Sequence, residues 1–391
     1  MDIQYKPHPI YSIPFDQLQK ELNIRVEKGL VFANKFDHLT VYNYSRECQF
    51  SKENWDLYTL CSRGLVIDTK RNKVVATPFP KFFNWGEIPE KLPDLSFTTT
   101  VKMDGSLGIL FWDWTEKRWR FSTRGSLESE QAQWAEAHIE SHWIDHLHKG
   151  NTYLFEIVFP ENRIVIPYDW EGLILLSVYD NEGWEWDYED LKDFGKTLGC
   201  RVVEKQQFSS VEQMFQKAKE LPWDNEGWVV RYSNGFRIKI KGDEYCRLHR
   251  IISNVTPLAI WEAMLNGDDL ESIRVNLPEE ILRDFDLIEG LLSDEFDEIF
   301  NELEGMNKKY EALSDKELGQ MLQGGKNFVN IRPDVMKLLF QCRKNNLLEK
   351  INIPGEKCRK TVFKLFRPKN NQLEGWKPST LLNRFHQEED N

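Results

Sequence analysis

The stretch "VKMDGSLGILF", Val101 to Phe111, decides how the first half of this chain is read. Residues 97–101 and 107–112 carry strand patterns, and Asp104-Gly105-Ser106 has the chemistry of a tight turn joining two paired strands. The reading is a β-hairpin with Lys102 at a rigid strand end. A lysine held there is preorganised, and desolvation near other cations would bring its pKa down toward the neutral, nucleophilic form. By itself Lys-x-Asp-Gly arises by chance in roughly one chain in ten of this length, so its surroundings carry the interpretation.

Working outward, the chain up to about residue 250 reads as short strands separated by turns: "HLTVYNY", "RGLVIDT", "LGILFWDW", "WRFSTRG", "TYLFEIVF", "RIVIPY", "GLILLSVYD", "GWVVRY" and "FRIKIKG". Two segments interrupt them with helical spacing, Gln131 to His148 and Val211 to Lys219. Beyond residue 250 the texture is helical. Thr256-Pro257 is an N-cap followed by proline at the first helical position. After Pro278, Ile281, Leu282, Phe285, Ile288, Leu292, Phe296, Ile299 and Leu303 form an apolar stripe, and Arg332-Pro333 opens a further helix. The expected organisation is an α+β domain of antiparallel sheets with helices over residues 1–250, then an all-α domain over 251–391.

A length of 391 residues with 40% apolar and 29% charged side chains fits a two-domain globular protein. The amino terminus lacks a basic and apolar leader, and no stretch is apolar enough to span a bilayer, so a cytoplasmic protein without membrane partners is expected. Six cysteines are scattered without a C-x-x-C pair, which argues against a disulfide framework and a zinc site. The net charge of −12 argues against nonspecific coating of nucleic acid. The charge is uneven, however: Glu279 to Glu317 is densely acidic, whereas Lys357, Arg359, Lys360, Lys364, Arg367 and Lys369 crowd a short stretch with Phe363 and Phe366.

If Lys102 attacks a nucleoside triphosphate, the site needs carboxylates for a divalent metal and ribose, and further cations for the phosphates. Strand ends offer each of these. "YLFEIV" sets Glu156 in an apolar strand, "NEGWVV" places Glu226 just before another, and "RIKIKG" alternates Lys239 and Lys241 with Ile238 and Ile240. Ionisable groups in apolar strands are costly unless paired or functional. A separate pattern, His138, His142 and His146, repeats every four residues but lacks H-E-x-x-H, so a solvated or packed histidine face is the favoured reading.

Lys-x-Asp-Gly, Phe-Glu-Ile, Glu-Gly-Trp-Val and Lys-Ile-Lys, in this order, resemble motifs I, III, IV and V of the lysine nucleotidyltransferases. "SRGLVID", "PFPKFFNWGE" and "STRGSLES" are similar to segments of the phage-type ATP-dependent RNA ligases, the RNA ligase 1-like family. The resemblance spans roughly residues 35 to 250. It implies an ATP-grasp-like ligase adenylation domain and an enzyme that joins RNA 5′-phosphate and 3′-hydroxyl ends, as in RNA or tRNA repair. It implies ATP and Mg²⁺, with Mn²⁺ as a substitute, and single-stranded RNA or broken tRNA ends as substrates. An end-processing kinase or phosphatase would act beside it.

Carried over by position, Lys102 becomes the lysyl-AMP, with Lys239 and Lys241 on the phosphates. Glu226 holds metal, and Glu156 holds ribose or metal. Arg63, Lys81 and Phe83 serve the nucleotide and its phosphates, Val101, Asp104 and Gly105 line the nucleotide site, and Ile174 (or Leu175) and Val229 sandwich the adenine. Arg124 stands where the family often has lysine. For Arg63 and Lys81 a surface ion pair is the rival reading, and for Ile174 and Val229 it is core packing. DNA ligases, capping guanylyltransferases and a nonenzymatic RNA-binding relative are the other candidates. The first two usually carry an OB-fold after motif V, where this sequence turns helical.

Overall fold

The computed structural model describes residues 5–45, 47–48, 52–87, 92–275, 277, 279–323, 335, 338–339, 343, 351, 353, 357–379 and 382. Two compact units divide the chain, one built on Met1–His249 and the other on Arg250–Phe385.

The first unit is mixed α+β and holds three sheets rich in antiparallel pairs. One is the meander β1 (Val31–Phe36), β2 (Leu39–Tyr44), β3 (Arg63–Asp68) and β4 (Lys73–Ala76). The other two come from β5 (Phe83–Asn84), β6 (Phe97–Val101), β7 (Ser106–Asp113), β8 (Arg118–Ser122), β9 (Thr152–Val158), β10 (Gly172–Tyr179), β11 (Arg201–Val202), β12 (Lys205–Gln206), β13 (Gly227–Tyr232) and β14 (Arg237–Lys241). Their orders are β11-β10-β9-β7-β8 and β12-β6-β13-β14-β5.

That division corrects the expected hairpin. β6 and β7 lie in different sheets, and residues 102–105 carry the chain across from one to the other. The edge of β6 is taken by β13, with Val101 opposite Trp228, while β7 pairs with β8 and β9. Asp104 does not close a two-residue turn. Its carboxylate accepts the amide hydrogens of Val165 and Ile166, each at 2.8 Å, and the Tyr245 hydroxyl at 2.7 Å. For the same reason "RIVIPY" is not a strand, because its central amides donate to Asp104 instead of a neighbouring backbone.

The predicted helix over Gln131 to His148 is also shorter, running Glu130–Ala137 before a break and a 3-10 turn at Ser141–Asp145. The helix Val211–Ala218 forms as its spacing predicts, with Val211, Met214 and Ala218 buried against Trp228, Val230, Ile238 and Ile240.

Among the described residues, the second unit consists of helices, turns and one isolated bridge between Lys369 and Gln372. Thr256 caps the helix Pro257–Asn266 by accepting from Ala259 N, and Gly267 ends it in the left-handed conformation. The helix Glu279–Lys309 buries Ile281, Phe285, Ile288, Leu292, Ile299 and Leu303, the stripe seen in the sequence. The expected start at Arg332-Pro333 lies outside the described residues.

Candidate active site

Lys102 follows the last residue of β6 and stays on its ladder, its amide donating to Gly227 O at 2.8 Å. That bond sets the nucleophile candidate beside Glu226, whose carboxylate is 2% exposed. Glu226 Oε2 accepts from Lys102 Nζ at 2.8 Å and Oε1 pairs with Lys241 Nζ at 2.9 Å. Gly227 makes the approach possible. It has φ +129°, and a Cβ there would stand 2.1 Å from Ile240 O and 2.9 Å from Lys241 Cα.

Gly105 does the same on the other sheet. A Cβ at Gly105 would lie 2.6 Å from Ile157 O and 3.1 Å from Glu156 Cγ, so the Lys-x-Asp-Gly segment lies flat on the strand that carries Glu156. Glu156 is opposite Leu107 and Ile174, and directly opposed residues share a face of the sheet. Ile174, and not Leu175, is therefore the apolar residue on the Glu156 side. It packs with Val158, Val203, Met103, Tyr168 and Trp170, whereas Leu175 packs with Phe155 and Ile157. On the other sheet Val229 is opposite Lys239 and Gly227 is opposite Lys241, so half-buried Val229 shares the face of both lysines.

The charges differ from the expectation for Lys102. Burial alone would lower its pKa, but Glu226, Glu156 and Asp104 outweigh burial and raise it, so Lys102 is held as an ammonium ion. The lysine driven toward its neutral form is Lys239, by burial and then by Lys241, Lys81 and Lys102. Among the described residues Lys239 forms no ion pair. Burial pushes the Glu156 carboxyl up to about 7, with Glu226 and Asp104 adding to the shift against Lys102 and Arg63. Glu226 stays below its ordinary value: burial would raise it, but Lys102 and Lys241 prevail.

A second cluster completes the site. Lys81 Nζ lies 5.1 Å from the Tyr44 ring, 5.6 Å from Trp55 and 5.5 Å from Phe83. The Tyr44 hydroxyl is 3.4 Å from Lys81 Nζ and 3.3 Å from Arg124 Nη1. Burial works to raise its pKa, yet Arg124, Lys81 and Arg63 bring it down to about 8. Arg63 stacks on Phe82 at 5.4 Å and keeps one buried nitrogen, Nη1, without a hydrogen-bond partner. Among the described residues no carboxylate lies within ion-pair distance of Arg63, Lys81 or Arg124, so the cluster carries a surplus of positive charge. Tyr44, Trp55, Tyr168 and Tyr245 had no local signature in the sequence, because each reaches the site only through the packing of distant elements.

Asp104 is committed to the chain itself. Its oxygens take two backbone amides and Tyr245, so it braces the Lys102 segment and does not point to a nucleotide. The histidines do not gather. His138 stacks on Trp134 at 3.6 Å, and His142 Nε2 meets Leu198 O at 2.9 Å. Among the described residues no group of three His, Cys, Asp or Glu side chains is placed to hold a metal. The acidic donors at the site are Glu156 and Glu226, and both oxygens of Glu226 already meet ammonium groups. This donor set fits Mg²⁺ or Mn²⁺ held chiefly by phosphates and water, with one or two carboxylates assisting, and not an all-protein cage.

A half-buried lysine clamped to a buried carboxylate thus lies between two sheets and beside a surplus of cations. The family model described as RNA ligase matches residues 61–245. The RNA ligase of Rhodothermus phage RM378 is 24% identical over 359 residues, covering 71% of this chain and 80% of its own. Among solved structures, an archaeal ATP-dependent RNA ligase aligns at 13% identity with a TM-score of 0.45, over 71% of this chain and 79% of that one. Over residues 61–245 the chain matches the RNA ligase family, and it is similar to a phage RNA ligase.

Proposed function

We propose that this enzyme seals RNA 5′-phosphate and 3′-hydroxyl ends with ATP, in repair of broken RNA such as cleaved tRNA. The observation that carries the reading is Glu226 holding Lys102 and Lys241 together while, among the described residues, Lys239, Lys81, Arg63 and Arg124 have no carboxylate at ion-pair distance. Lys102 Nζ, once it has given up a proton, forms an N–P bond to the α-phosphorus as the bond to pyrophosphate breaks. The RNA 5′-phosphate oxygen then takes the AMP from Lys102, and the 3′-hydroxyl attacks that 5′-phosphorus as AMP leaves.

Lys239 and Lys241 meet the α-phosphate, and Arg63, Lys81, Arg124 and Tyr44 meet the outer phosphates. Ile174 and Val229 take the adenine from the two sheets, and Glu156 meets the ribose. A divalent cation, when bound at Glu226 and Glu156, would neutralise phosphate charge. The remaining acceleration comes from positioning and electrostatics.

The second unit is assigned to choosing RNA. Lys360, Lys364, Arg367 and Lys369 are exposed, whereas Arg359 donates to Leu265 O and Met264 O and stacks on Phe363, which makes it part of the packing. An end-processing kinase or phosphatase supplies matched RNA ends, and the setting is the cytoplasm. Among the described residues no helix is long and apolar enough to cross a membrane. The test is incubation with radiolabelled ATP and a divalent cation, then with 5′-phosphorylated RNA. One acid-stable AMP-lysine that transfers its label to RNA is expected, and Lys102→Ala should abolish it. Full labelling of that variant would remove the reading.

A further inference from the structure

The positive file on β14 does not start at Lys239. Arg237, Lys239 and Lys241 alternate along one face, about 7 Å apart, and Arg231 of β13 stands directly opposite Arg237. Like charges opposed across strands repel unless a counterion lies between them. Glu185, 6% exposed, fills that place. It pairs with Arg231 Nε at 3.2 Å and with Arg237 Nη2, and accepts the Ser177 hydroxyl at 2.5 Å. Arg231 also donates to Trp186 O at 2.9 Å.

Glu185 and Ser177 belong to the sheet of β9 and β10, since Glu185 bridges to Tyr179 at the end of β10. The two arginines belong to the sheet of β13 and β14. The cluster also reaches the strap that carries Lys81 and Phe83: Arg237 stacks on Phe79 at 4.5 Å, and His8 Nε2 meets Pro78 O at 2.9 Å. One carboxylate thus ties together three elements that supply the site.

We propose that Glu185 is a positioning residue for nucleotide transfer: by pinning both arginines to the end of β10 it sets the spacing between Glu156 on one sheet and Lys239 and Lys241 on the other. This rests on the nucleotidyl-transfer reading above. Along the strands the clamp is about 13 Å from Lys241, so it acts through the sheets and not by contact with ATP. It also gives Arg237 a counterion, so that among the described residues Lys239 is the member of the file with no carboxylate at ion-pair distance.

The experiment measures enzyme-AMP formation against ATP concentration in the full-length chain, well below each variant's melting temperature. Glu185→Asp keeps the charge but withdraws the carboxylate by one methylene. Arg231→Lys keeps the charge but loses the fork, and Ser177→Ala removes only one hydroxyl. The first two should raise KM for ATP about tenfold and change the plateau rate far less, with Ser177→Ala giving about a twofold rise. A merely structural clamp would lower the melting temperature and leave KM unchanged. Wild-type KM in every variant that folds overturns the proposal, and Ser177→Ala keeps the test open if both charged variants unfold. Failure of the wild-type protein to form an AMP adduct would instead remove the nucleotidyl-transfer reading.

Discussion

Glu226 holds two lysines at once, Lys102 through Oε2 at 2.8 Å and Lys241 through Oε1 at 2.9 Å. The nucleophile candidate and a phosphate-binding candidate from different strands are thereby locked to one carboxylate. The cost of burying that carboxylate is offset by both ammonium groups.

Removing the clamp should shift the pH dependence of labelling as well as slow it. Glu226 raises the pKa of Lys102, so Glu226→Gln should move the rising limb of the pH–rate profile for AMP-lysine formation to lower pH. The plateau rate should fall by about two to three orders of magnitude, as for loss of a preorganised charge. An unshifted limb would mean that Glu226 does not control the Lys102 proton.

Glu156 makes a prediction about stability. Its carboxyl titrates at about 7 in the folded protein, above the ordinary 4.5. A raised carboxyl pKa means the folded state binds the proton more tightly. Stability is therefore greatest below the ordinary value and declines as pH rises toward 7. Glu156→Gln removes the charge that causes this decline. The variant should be more stable than wild type at pH 8, by up to about 3 kcal/mol, and less active. Denaturant melts at pH 5 and pH 8 check the sign: the gap should open at the higher pH.

Gly227→Ala should damage the site without touching a charged group. The added methyl collides with Ile240 O at 2.1 Å, a backbone atom, at a φ that alanine avoids. β13 and β14 must move apart, so a loss of about 2 kcal/mol or more in stability is expected. Labelling should fall even at temperatures where the protein is folded. A stable variant with wild-type labelling would show that the close approach is not needed.

The basic surface of the second unit separates into two roles. Neutralising Lys360, Lys364 and Lys369 to glutamine should flatten the salt dependence of binding to tRNA with a broken anticodon loop, by roughly 0.7 to 0.9 in log–log slope for each lost phosphate contact. Arg359→Met should leave that slope unchanged and lower the melting temperature, because its guanidinium ends the helix Pro257–Asn266 and stacks on Phe363. Equal slopes for wild type and the triple variant would leave this unit as scaffold.

The sequence by itself determined the strands β2, β3, β7 to β10, β13 and β14, the helices Val211–Ala218, Pro257–Asn266 and Glu279–Lys309, and the residue types of the site. Period, capping and ionisable residues set into apolar strands are local signals, readable within a few residues. Lys102, Glu156, Glu226, Lys239 and Lys241 were legible for that reason. Tertiary structure alone decided what Asp104-Gly105 does. Its turn chemistry is identical in a hairpin and in a crossing between sheets, and the choice came from the amides of Val165 and Ile166 and from Tyr245, which complete the carboxylate's hydrogen bonds. The protonation of the site was equally hidden. Lys102 remains charged and Lys239 is driven toward neutrality because a pKa follows burial and the neighbours brought by other strands, and no spacing along the chain encodes those distances.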